Sequence, residues 1–254
     1  MTTHPRLFIG PMSKQILDVA LNYKNKLGVI PSRRQIEHNG GYVNNWSTRE
    51  FSNYIANNHN NILVCRDHGG PLQGSNKDDG KESFAEDIRS GFDILHIDPW
   101  KDSKSVKQAV DKTVKLINFC ISVDKNIFFE VGTEEAIFSY TADELNIFLK
   151  ELKEQLGDNF KKVRYAVIQS GVGIRGTQNI GKFNKAKLKR MISVVKNYNL
   201  LSKEHNGDYL RIDQISERAN AGLDAINIAP ELGVIQTKLM IELGLVSVDD
   251  AYKV

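Results

Sequence analysis

The sequence has only two cysteines, Cys65 and Cys120, far apart and each inside an apolar run. A disulfide framework or a zinc knuckle needs more cysteines at closer spacing, so both read as buried free thiols. No stretch approaches the roughly 20 apolar residues of a membrane-spanning helix. The start, Met1-Thr2-Thr3-His4-Pro5-Arg6, lacks the long apolar core of a secretory leader, and a soluble cytoplasmic protein is expected. Neither charge sign dominates. The 34 basic residues are offset by 31 acidic ones for a net charge of +3, which does not imply nucleic acid. There is no Walker A sequence, no Gly-x-Gly-x-x-Gly fingerprint and no Cys-x-x-Cys pair. No shift of composition marks a linker, and the 254 residues are expected to form one domain, 1–254.

What is present is an alternation. Short apolar runs at 6–9, 27–30, 62–65, 94–98, 127–131, 163–168, 200–201 and 225–229 are each followed by a helix-like segment. Ser13 reads as a helix cap, as does Ser47 or Thr48, and Thr141 with Glu144 makes a capping box. A helix over about 83–90 ends at Gly91. Val106, Val110, Val114 and Ile117 have helical spacing, and a basic helix covers 185–197. Nearly continuous apolar runs suit parallel strands buried on both faces. Eight strand–helix units predict an α/β protein, a (β/α)8 TIM barrel, with a doubly wound open sheet as the alternative.

The polar residues fall where a barrel would use them. Asp67, His68, Glu134, Gln169 and His205 all follow predicted strands, and the C-terminal ends of barrel strands converge on one mouth. In Arg66-Asp67-His68-Gly69-Gly70-Pro71 a carboxylate and an imidazole stand side by side before flexible backbone. His68 and His205 suit a divalent metal, zinc by preference, with manganese or nickel as alternatives. Such an ion polarises a carbonyl or stabilises an enediolate. Asp67 would then move a proton, with Glu134 as a second candidate. A capping or core role for His205 and a solvated helix-start role for Glu134 stay open. His96 and Asp98 alternate onto one face of the fourth strand, as ligands or as groups that orient ligands. Glu130, inside the fifth strand, needs a partner for its charge. Ser32-Arg33-Arg34-Gln35 could grip a phosphate or carboxylate. Ser170-Gly171-Val172-Gly173 and Arg175 could add donors to an anion. A solvated surface and a simple turn are the alternatives for these two stretches.

In order, Gly40-Gly41-Tyr42, Asp67-His68-Gly69-Gly70-Pro71, Gly91-Phe92 with His96-Ile97-Asp98, Gly132-Thr133-Glu134, Gln169-Ser170-Gly171-Val172, Glu204-His205-Asn206-Gly207-Asp208-Tyr209 and Ala229-Pro230-Glu231 resemble the tagatose-1,6-bisphosphate aldolase accessory-subunit family (GatZ/KbaZ-like). The likeness runs from about Phe8 to about Leu243. It implies an aldolase-type barrel akin to class II, metal-dependent aldolases of sugar phosphates and to metal-dependent epimerases. It implies Asp67 as the proton-transfer group, Glu134 as a second acid or base, and His68 and His205 as metal ligands. Substrate contacts are expected from His96, Asp98, Gln169, Ser170, Gly171, Glu204, Asn206, Asp208, Asn227 and Glu231, and also from Ser32, Arg33, Arg34 and Gln35, a stretch that departs from the family's pattern. Arg66 stands where the family has a small residue, and no third histidine follows the eighth strand, where Asn227 and Glu231 stand instead.

The expected activity is retro-aldol cleavage or epimerisation of a sugar or sugar phosphate through an enediolate. The alternatives are a non-catalytic barrel that supports a partner aldolase and a metal-free sugar-binding module. The chain could act as a homo-oligomer or beside a partner aldolase subunit, and neither nucleic acid nor membrane is expected as a partner.

Overall fold

A computed structural model describes residues 4–58 and 62–251; Met1-Thr2-Thr3 of the start read above lies outside them. Eight strands close into an all-parallel barrel: β1 (Leu7–Ile9), β2 (Gly28–Val29), β3 (Leu63–Gly69), β4 (Ile94–Ile97), β5 (Phe128–Val131), β6 (Val163–Val167), β9 (Leu201–Glu204) and β10 (Ala225–Ile228). Between β6 and β9 an antiparallel hairpin, β7 (Val172–Arg175) and β8 (Gln178–Gly181), is inserted at the mouth end. The fold is a (β/α)8 TIM barrel, as the run-and-helix alternation predicts.

The helices are α1 (Lys14–Leu21), α2 (Thr48–Asn58), α3 (Lys81–Arg89), α4 (Val106–Val123), α5 (Ala142–Leu156), α6 (Lys185–Asn197), α7 (Ile212–Asn220), α8 (Pro230–Glu242) and α9 (Val248–Ala251). Their starts follow local chemistry. Ser13 Oγ accepts from Ile16 N, and Thr141 and Glu144 complete the capping box. Ser47 rather than Thr48 caps α2, its hydroxyl accepting from Glu50 N. None of the described helices is long and apolar enough to cross a membrane.

Strand alternation divides the core in two. The larger part, with Leu95, Ile97, Phe129 and Ala166, packs between barrel and helices. The smaller fills the barrel interior with Phe8, Ile30, Cys65, Ile94, Tyr165 and Ala225. The outward strand faces also carry charge. Arg66 is fully buried, paired with Asp87 of α3, and donates to the carbonyls of Pro31 and Ile36. This large residue thus ties β3 to its helix and to the loop after β2.

Candidate metal and catalytic site

Asp67 and His68 are sequence neighbours, and regular alternation would send them to opposite faces of β3. The pairing of β3 with β4 shifts register between Arg66 and Gly69, and His68 has a left-handed backbone, φ 44°. Both side chains therefore reach the mouth. Gly69 permits the close fit that follows, because a Cβ there would stand 2.3 Å from the Phe84 ring.

Three imidazoles meet at this point. His68, His96 of β4 and His205 after β9 offer nitrogen atoms that all lie within 4.8 Å of one another. Each ring is held by an oxygen on its other nitrogen: His68 Nδ1 by Asp98 Oδ2 at 2.6 Å, His205 Nε2 by Glu130 Oε1 at 2.5 Å, and His96 Nε2 by the Gly132 carbonyl at 2.9 Å. This oxygen-backed arrangement is the one that fixes the orientation of ligating histidines. His68 Nε2 and His205 Nδ1 face each other at 3.3 Å. His96 Nδ1 accepts a 3.2 Å bond from His68 N, which an ion would have to replace. The donor set fits a divalent metal that accepts nitrogen ligands.

The electrostatics separate the three rings. Burial pulls His68 down, but Asp67, Asp98 and Glu134 reverse this and push it up to about 10. His96 is held down at about 4, by burial and by the neighbouring His205 and His68, against the pull of Glu130 and Asp98. His96 is thus neutral at neutral pH, the form in which an imidazole could ligate an ion, and an ion would displace a proton from His68. Burial works against the Glu130 carboxylate too, yet Lys203 and His205 hold it well below the carboxylate range.

Above the rings is a cavity of about 210 Å³ lined by Asp67, His68, Glu134, Ile174, His205, Asp208 and Asn227, with Ile30, Ala229 and Pro230. Asp67 Oδ1 lies 3.6 Å from His205 Nδ1 and 4.0 Å from His68 Nε2, and accepts a 3.4 Å bond from Asn227 Nδ2. Asn227 Oδ1 is buried without a partner among the described residues.

Other expected contacts lie elsewhere. Arg33 is buried and bound to Glu37, Asp78 and the Gly70 carbonyl, so it is not a free anion grip. Ser32 N donates to Gln35 Oε1, Gln35 Nε2 donates to Met12 Sδ, and Arg34 is exposed. Gln169 braces the 133–140 loop through Thr133 O, Phe138 O and Tyr140 N. Ser170 binds Glu204, which faces outward and pairs with Arg218 of α7 at 2.8 Å. Gly171 N already donates to Glu135, and Asn206 Nδ2 to Val172 O. Glu231 accepts from Tyr209 N. For Gln169, Ser170, Gly171, Asn206 and Glu231 a partner distant in sequence has claimed the polar group.

Sequence reasoning missed Lys203, whose ammonium is buried in the barrel beside Glu130, and the hairpin that brings Ile174 to the cavity. The period-two pattern of β4 was the signal for His96.

No sequence-family profile matches the chain, and no curated protein matches it in sequence. Solved structures do match in shape. A probable tagatose 6 phosphate kinase from Sinorhizobium meliloti 1021 is 15% identical with a TM-score of 0.71, covering 91% of this chain and 66% of its own. The chain thus spans just under two thirds of that protein. The YdjI aldolase from Escherichia coli K12 is 15% identical with a TM-score of 0.68, covering 94% and 81%. A putative fructose-1,6-biphosphate aldolase from Coccidioides immitis is 15% identical with a TM-score of 0.66, again covering 94% and 81%. These likenesses show the (β/α)8 barrel architecture.

Proposed function

We propose that the chain is a metal-dependent lyase or epimerase that enolises a sugar or related hydroxy-carbonyl compound in the manner of class II aldolases. The observation that carries this reading is the convergence of three oxygen-backed imidazoles beside the Asp67 carboxylate. His68, His96 and His205 would hold a divalent ion, zinc by preference; when bound, it would supply Lewis-acid polarisation of a substrate carbonyl. Asp67, at the cavity wall and steadied by Asn227, takes the proton from the substrate carbon or hydroxyl. Glu134, on the same cavity, is the second acid or base. Retro-aldol cleavage and epimerisation share the enediolate, and the same side chains serve both.

A second reading has an observation of its own. Val19 and Tyr23 of α1 and Ile235 and Leu239 of α8 form an exposed apolar groove with Leu243, away from the mouth. Such a patch suits a barrel that supports a partner aldolase.

Elemental analysis of the purified protein separates the readings. Near-stoichiometric metal in the wild type, lost in His68→Ala, His96→Ala and His205→Ala, is expected. No metal after reconstitution with zinc, manganese or nickel would retire the enzymatic reading in favour of the supporting role.

A further inference from the structure

We propose that the substrate of this site carries no phosphate and is a small, uncharged polyhydroxy carbonyl compound. This rests on the functional reading above and names its substrate class.

In (β/α)8 barrels a phosphate commonly sits on backbone N–H groups after the seventh and eighth strands, at a helix N-terminus. Here four of those donors are already taken. Asp208 Oδ1 accepts from Ala229 N at 2.9 Å and from Glu231 N at 2.8 Å, at the start of α8. Pro230 between them has no N–H. Glu231 Oε2 accepts from Tyr209 N at 2.6 Å, and Gly207 N donates to Asn227 O at 3.1 Å. The carboxylates of the chain occupy the place an anion would need.

The described cavity wall has no guanidinium or ammonium to compensate. Among the described residues no lysine or arginine lines it, whereas Asp67, Glu134 and Asp208 do. Four basic groups nearby in sequence are committed to ion pairs: Arg33 to Glu37 and Asp78, Lys187 to Glu135, Arg211 to Asp213 and Arg218 to Glu204. Arg175 adjoins Ile174 on β7, but strand alternation turns it to the other face, where it is exposed. Even with a divalent ion on the histidines, three wall carboxylates would face an incoming phosphate dianion.

The same wall suits hydroxyl groups. Carboxylates accept hydroxyl protons, and the buried Asn227 Oδ1 is an acceptor without a donor among the described residues. A volume of about 210 Å³ holds a short-chain sugar or fragment.

Calorimetry on the zinc-reconstituted protein tests this with a matched pair, glycolohydroxamate and its phosphate ester, which mimic an enediolate and differ only in the phosphate. Glycolohydroxamate is expected to bind at least about tenfold more tightly, because like charges disfavour the ester. Tighter binding of the ester would overturn the inference and leave the functional reading standing. Binding of neither would overturn both. In Asp208→Ala, which frees two N–H groups and removes a charge, the ratio is expected to move toward the ester. An unchanged ratio in a folded variant would count against Asp208 as the excluding group.

Discussion

Lys203 and Glu130 face each other inside the barrel, with Nζ 2.6 Å from Oε2, under the three histidines. Neither is exposed to solvent, and the ammonium lies 3.8 Å from the centre of the Phe8 ring. A buried lysine in a (β/α)8 barrel invites a Schiff-base mechanism, which requires a neutral, accessible amine. Burial disfavours the Lys203 ammonium, yet its anionic surroundings, Glu130 foremost in distance, raise its pKa above the ordinary value. Borohydride with glycolaldehyde or pyruvate is therefore expected to leave Lys203 unmodified, read by peptide mass spectrometry. A reduced adduct on that peptide would replace the metal mechanism with a covalent one.

The same pair has a structural consequence. Glu130→Gln leaves the lysine charge buried without its counter-ion and removes the carboxylate that backs His205. Breaking a buried pair from one side costs about 3–5 kcal/mol. Urea unfolding should show a loss in that range. A loss below about 1 kcal/mol, the scale of an exposed pair, would mean that Lys203 finds another partner or water.

Asp98 should act on metal affinity without touching the ion. Its Oδ2 fixes His68 Nδ1 and accepts from Thr133 Oγ1, while Oδ1 accepts from Trp100 N. Asp98→Asn keeps the shape and removes the charge. Loss of such a backing group typically weakens metal binding about 10–100-fold. Competition for zinc against a chelator measures this, with circular dichroism as the folding control. Unchanged affinity would sink the role given to Asp98.

How much of this was legible follows from where each residue finds its partners. The barrel was legible because parallel strands buried on both faces leave continuous apolar runs, and all eight runs became barrel strands. Asp67, His68, Glu134, Gln169 and His205 were expected at one mouth because they follow strands; all but Gln169, which braces the 133–140 loop, line one cavity. The seventh run seemed only two residues long because Ser202-Lys203-Glu204 is polar. Lys203 points to Glu130 and Glu204 to Arg218, so each polar residue is matched by a partner that no local pattern announces. Arg33 looked free for the same reason, since Asp78 lies 45 residues away. His96 was legible as an inward residue, but its meeting with the other two rings depends on the bulge that turns His68 inward.

Asp208 should leave a mark on the pH dependence of stability. Burial, opposed by the bonds from the Glu231 and Ala229 amides, pushes its carboxyl up to about 6. The unfolded value is near 3.9, so the folded state holds the proton more tightly and ionisation costs stability. This penalty is absent below about pH 4, grows between about pH 4 and 6, and reaches about 3 kcal/mol above that. Asp208→Asn should remove it. The measurement is the wild-type minus variant unfolding free energy in urea from pH 4 to 7. A flat difference would mean that Asp208 ionises as freely in the fold as in the unfolded chain.

The hairpin over the mouth gives the last prediction. Asn179 Nδ2 of β8 donates to the carbonyls of Asn206 at 3.0 Å and Asp208 at 3.1 Å, and Asn206 Nδ2 returns a bond to Val172 O at 3.1 Å. These side-chain bonds tie the hairpin to the loop after β9 that carries His205, and Ile174 reaches the cavity from it. Asn179→Ala removes two bonds worth about 1 kcal/mol each and leaves every imidazole in place. Local opening of residues 172–181 should become about 10–30-fold more frequent, read as faster amide hydrogen exchange there, with exchange in the barrel strands unchanged. Zinc content should stay at the wild-type level, because no ligand or backing oxygen is lost. Uniformly faster exchange would make Asn179 part of global stability, and unchanged exchange at 172–181 would mean that the hairpin holds its place over the cavity without this tie.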